Sequence, residues 1–132
     1  MVRRTIFLEK YGWLADIYFD YNCKYSDVLI DRLENIGISD EKLDIAYADL
    51  NSCKANIGLT YSSFVEKKTI IVIGKATSPK EFMKTFTHEI GHMSTHICQY
   101  YYIDPYGEEI HYITQDIVDE SWDIAKQFLC DK

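Results

Sequence analysis

The run His88-Glu89-Ile90-Gly91-His92 sets two imidazoles four positions apart with a carboxylate between them. On a helix, positions i and i+4 share a face with roughly 5–6 Å between Cβ atoms, so both rings can turn a nitrogen toward one ion. Glu89 projects one step round the same turn, where a carboxylate reaches a metal-bound water without ligating the metal. The chemistry this set can perform is metal-assisted amide hydrolysis. Zinc lowers the pKa of its water toward about 7 and polarises the scissile carbonyl, while Glu89 takes the water proton and passes it to the leaving amine. A catalytic zinc usually has three protein ligands, so one must come from outside the motif. Glu108 and Glu109 are the candidates, at the opening of a second helix that carries Ile110, Ile113 and Ile117 on one face. Periodicity favours Glu109 slightly, because it projects closer to that stripe. His111, Tyr112 and His96 are close enough in sequence to be weighed as donors to the tetrahedral intermediate. His96 stands roughly 12 Å along the axis from His88 at 1.5 Å per residue, so the three histidines cannot share one ion. A supporting part in the site and a plain half-buried polar residue are its two readings.

The motif needs a helix, and the sequence writes one. Ser78-Pro79-Lys80-Glu81 combines an N-cap serine, a proline at the first helical position and a glutamate three residues after the cap. Phe82, Phe86, Ile90, Met93 and Ile97 then recur at helical spacing, the apolar stripe of a helix laid on a core. Upstream, residues 3–8 and 13–20 are rich in Ile, Phe, Tyr and Trp around Lys10-Tyr11-Gly12 and read as a β-hairpin. Ser26 and Asp27 offer a cap for a helix with Val28, Leu29, Leu33 and Ile36 on one face, ending at Gly37. Residues 39–51 read as another helix, and residues 56–64 and 68–73 as a second hairpin around Glu66-Lys67. The expected architecture is α+β, a small sheet packed on the helix that bears the motif. If the strand at residues 69–74 lies at a sheet edge, its free backbone groups can pair with an extended peptide.

The run Thr69-Ile70-Ile71-Val72-Ile73-Gly74, the run Thr85-Phe86-Thr87-His88-Glu89-Ile90-Gly91-His92 and the later His96 together resemble the strand and active-site helix of minimal gluzincins. That group includes the ImmA/IrrE-like metallopeptidases and small zincin-like proteins of bacteria and their phages. The resemblance covers about residues 69–120 and is carried by motifs; the first 65 residues resemble no catalytic module. It implies a zincin-type α+β fold, bound Zn2+, a peptide or protein substrate, and a glutamate ligand followed four positions later by an aromatic residue. Here that offset pairs Glu108 with Tyr112, so the resemblance favours Glu108 where periodicity favours Glu109. The resemblance implies His88, His92 and Glu108 on the metal, Glu89 as the base and Tyr112 as the aromatic partner; Glu109, from periodicity, is the alternative ligand, and His111 stands with Tyr112 as a candidate catalytic residue by its place in the sequence. The chain departs from the pattern in its short link from His92 to Glu108, and in Glu109, Ile110 and His111 where small residues are usual.

Composition frames these expectations. At 132 residues with 47% hydrophobic content the chain can bury one core, and no repeat or Pro/Gly-rich linker marks a boundary, so a single domain is expected. The net charge of −7 and scattered basic residues exclude the clustered positive face that nucleic acid requires. No apolar run approaches the roughly 20 residues of a membrane span, and residues 1–10 hold too short an apolar core for a secretory signal. With neither segment a cytoplasmic location is the plain expectation, and Cys23, Cys53, Cys98 and Cys130 support it: they form no CxxC pair and read as buried or incidental thiols, while their even count leaves two disulfides open in an oxidising compartment. Two rivals stand beside the peptidase: a catalytically silent zincin scaffold acting as a binding or regulatory protein, of the phage-accessory kind, and a structural domain with incidental histidines.

Overall fold

The computed structural model describes residues 1–130. Four strands, β1 (Val2–Leu8), β2 (Trp13–Tyr21), β3 (Gly58–Ser63) and β4 (Lys68–Gly74), form one mixed sheet in the order β1-β2-β4-β3. β1 and β2 are an antiparallel hairpin, β2 and β4 run parallel, and β3 pairs antiparallel with β4. The β2–β4 pairing is interrupted between Tyr18 and Tyr21, where Asp20 takes a positive φ of 58°. Helices α1 (Ser26–Asn35) and α2 (Asp40–Leu50) link β2 to β3, and α3 (Pro79–Tyr101) and α4 (Glu109–Ala125) follow β4. The fold is α+β, as the alternation of patterns predicts.

Side-chain alternation divides the interior into two cores. From β2, Trp13, Ala15, Ile17 and Phe19 join Ile71 and Ile73 of β4 under α3 and α4; Tyr18 and Tyr21 join Ile70 and Val72 under α1 and α2. Helices therefore cover both sheet faces, and β4, flanked by β2 and β3, is buried along its length, which accounts for its unbroken apolar run. That position corrects the expectation for residues 69–74: the free edge beside the motif helix belongs to β3.

The start of α3 is the one its sequence specifies. Ser78 accepts a hydrogen bond from the Glu81 backbone N–H at 3.1 Å with proline in the first turn, and Phe82, Phe86, Ile90, Met93 and Ile97 are all buried. The helix runs on to Tyr101 and ends when Tyr102 enters the left-handed region, its N–H capping the Cys98 carbonyl. At α1, Tyr25 takes the capping position and makes no side-chain cap bond; Ser26 is already helical and buried. Gly37 follows α1 with φ +98°, a conformation that strains any residue with a Cβ.

The cysteines correct a second expectation. Cys23, in the turn before α1, is disulfide-bonded to Cys53, in the loop after α2. Cys98 is a buried free thiol and Cys130 an exposed one. Spacing of thirty residues carries no pairing signal; the bond exists because α1 and α2 fold back on each other and bring the two loops together. Among the described residues no helix is long and apolar enough to cross a membrane.

Candidate metal centre

The stripe that buries one side of α3 sends His88 and His92 to its exposed side, while Glu89, 100° round from His88, faces β3. His88 Nε2 and His92 Nε2 stand 3.1 Å apart. With metal–nitrogen bonds of about 2.0–2.1 Å, that separation subtends roughly 100° at an ion between them, near the tetrahedral angle zinc adopts. The pair therefore fits two positions on one zinc ion.

Glu89 is placed by contrast from within. It is 6% exposed, and Thr60 Oγ1 of β3 donates to its Oε1 at 2.8 Å. The other carboxylate oxygen lies against Gly58, where a Cβ would stand 2.7 Å from Glu89 Oε2 and 2.7 Å from Thr85 Cγ2. Only a glycine at the edge strand leaves the carboxylate this room. His88 and Glu89 open together onto a shallow cleft of ≈ 320 Å³ whose walls include Asn56, Gly58, Lys84 and Thr85. Sequence reasoning missed Gly58 and Thr60; their signal would have been a small residue and a hydroxyl alternating on the strand that faces the motif.

His96 stands outside the pair. Its ring centroid is 6.5 Å from that of His92, and Nδ1 is 2.7 Å from Ser62 Oγ on β3. Burial, then the neighbouring His92 and Lys42, hold its pKa below the ordinary histidine value, which favours the neutral ring.

The two glutamates do not join the pair. Tyr11 touches the C-terminal end of α3, where the Tyr101 hydroxyl donates to its carbonyl, and the first turn of α4, where the Tyr11 hydroxyl donates to Glu109 Oε2 at 2.8 Å. Further along, Ser94 Oγ and Thr114 Oγ1 are 2.7 Å apart. Those contacts fix α3 and α4 as antiparallel neighbours. The direct Ser94–Thr114 contact sets Glu109 and Glu108, five and six residues before Thr114, level with the last turn of α3, about 10–12 Å along the axis from His92. Glu109 is occupied by Tyr11; Glu108 is exposed at the N-cap of α4. His111 and Tyr112, exposed in the first turns of α4, lie on the same far side of the Ser94–Thr114 contact. The sequence could not foresee this, because a short link does not say at which level two helices register. Among the described residues no group of three or more His, Cys, Asp and Glu side chains gathers in metal-holding geometry. The structure brings together His88, His92 and Glu89, and leaves out Glu108, Glu109, His111 and Tyr112.

No protein-family model, curated protein or solved structure matches the chain.

Proposed function

We propose that the protein is a zinc-dependent peptidase in which His88 and His92 hold the metal and Glu89 is the general base. The observation that carries this reading is the 3.1 Å convergence of two Nε2 atoms beside a buried carboxylate held by Thr60 on the adjoining edge strand. Zinc, when bound, polarises the scissile carbonyl and acidifies the attacking water. Glu89 takes the water's proton and returns it to the leaving nitrogen, and the Thr60 hydroxyl fixes which carboxylate oxygen is free to do so. β3 offers its outer backbone groups to an extended substrate by strand addition, the part first expected of residues 69–74. The Cys23–Cys53 bond argues against the expected cytoplasmic location, since disulfides persist mainly in oxidising compartments.

One observation favours the second reading, a scaffold that binds metal or a partner without turnover: the third protein ligand is missing from the described residues. Glu89→Gln separates the two. In a peptidase it abolishes hydrolysis of a peptide library while zinc content, measured by elemental analysis, stays near that of the parent; His92→Ala loses the zinc. A parent protein that takes up no zinc removes the peptidase reading, and zinc uptake with no hydrolysis that Glu89→Gln can remove leaves the binding scaffold.

A further inference from the structure

Beyond Thr60 the outer side of β3 meets a second cavity, of ≈ 560 Å³, between the start of α2 and the later turns of α3. Thr60 is a wall of this cavity and also the donor to Glu89, so the two spaces adjoin along one strand edge. Ser62 and Phe64 line it from the hairpin, Ile38 and Lys42 from the α1–α2 side, and His96 and Gln99 from α3.

Three of its lining side chains, Lys42, His96 and Gln99, carry hydrogen-bond donors. Lys42 is exposed and, among the described residues, forms no salt bridge, although the chain as a whole is acidic. His96 is oriented by a chain of hydrogen bonds, buried at its Trp13 end, with a fixed starting direction. The Trp13 indole N–H can only donate, and does so to Thr69 Oγ1 at 2.8 Å. Thr69 is wholly buried and stands 2.7 Å from Ser62 Oγ, which in turn is 2.7 Å from His96 Nδ1. With each hydroxyl donating once and accepting once, Thr69 donates to Ser62 and Ser62 donates to Nδ1. The ring hydrogen then sits on Nε2, a donor that none of the described residues uses. An ammonium, an imidazole N–H and the Gln99 amide beside the apolar walls of Ile38 and Phe64 match a carboxylate carried on a short methylene arm.

We propose that this cavity is a specificity subsite that binds an acidic side chain of an extended peptide lying on β3, N-terminal to the bond that faces Glu89. The side of the bond follows from strand direction. Antiparallel pairing is the more stable ladder, so a peptide added to β3 runs from the Ser63 end toward Gly58. It meets the Ser62–His96 cavity before it meets Glu89. The inference rests on the peptidase reading for which bond is cut, but not for the binding preference itself.

The test is fluorescence anisotropy with full-length Glu89→Gln protein, zinc added, and labelled peptides in which Glu or Gln is scanned through each position. Binding of the Glu peptide about tenfold tighter than its Gln counterpart at one position is expected, a ratio that a charge-assisted contact can sustain, and added salt should compress it. Lys42→Ala should reduce the ratio and Lys42→Glu should remove or invert it; Lys42 is exposed and outside both cores, so either variant should fold. Equal binding of Glu and Gln peptides, a preference that survives Lys42→Glu, or no binding by any peptide would each overturn the proposal. The outcomes separate from those of the peptidase reading. A Lys42-dependent preference in a protein that takes up no zinc leaves the subsite and removes the peptidase, whereas zinc uptake and hydrolysis without preference do the reverse.

Discussion

The two helical layers of this molecule are held to the same sheet by different means. α3 and α4, of 23 and 17 residues, lie on a core of aromatic and branched side chains in which Phe19, Phe82, Phe86 and Phe128 pack ring against ring. α1 and α2, of 10 and 11 residues, are shorter, bury less, and are closed by the Cys23–Cys53 bond. Isolated helices of that length are marginal in water, so their order depends on what ties them down. The layer that carries His88, Glu89 and His92 is held by burial and hydrogen bonds, with no disulfide among the described residues. The other layer borrows a covalent link, and it supplies Lys42 and Ile38 to the cavity beside the candidate site. A long helix with a deep core can therefore display functional groups on its outer side, while a short one needs anchoring before it can shape a cleft.

The largest effect that would test this contrast is removal of the disulfide. A bond closing a loop of thirty residues is worth roughly 3.5 kcal/mol through the unfolded chain, so Cys23→Ser with Cys53→Ser should lower the urea unfolding free energy by about that amount. Zinc content should be retained. A loss below about 1 kcal/mol would mean that burial holds both layers alike. Next comes Gly58→Ala, which sets a methyl against Glu89 and Thr85 at the seam between β3 and α3. Overpacking should cost about 1–3 kcal/mol in the same assay and, under the proposed peptidase reading, depress peptide turnover beyond that loss of folded protein. A variant with parental stability and turnover would show that the carboxylate has room to yield. The smallest effect is Tyr21→Phe. The Tyr21 hydroxyl donates to the Leu50 carbonyl at 2.6 Å, tying β2 to the end of α2, and its loss should cost about 1 kcal/mol. Burial, then Asp27, pushes the Tyr21 pKa up to about 12 from the ordinary 10. The folded state thus holds the proton more tightly, so the contribution is present below pH 10 and is lost as pH rises from 10 through 12. Stability measured across that range should fall less steeply in Tyr21→Phe; identical slopes would remove Tyr21 as a source of the alkaline loss.

Local rules made much of this legible from sequence. The cap at Ser78, the stripe from Phe82 to Ile97 and the hairpin around Gly12 follow from hydrogen bonds and periodicities spanning a few residues, and so does the side of α3 on which His88, Glu89 and His92 fall. Those are properties a chain specifies by itself, because 3.6-residue and 2-residue repeats need no distant partner. Tertiary structure alone decided that β4 is central and β3 the edge, that Thr60 and Gly58 meet Glu89, and that Cys23 meets Cys53. It also decided that Glu108 and Glu109 end level with the last turn of α3, away from His88 and His92. Each of these depends on how elements register across the sheet and between helices, and that register is set by the summed packing of two cores rather than by any local run of residues.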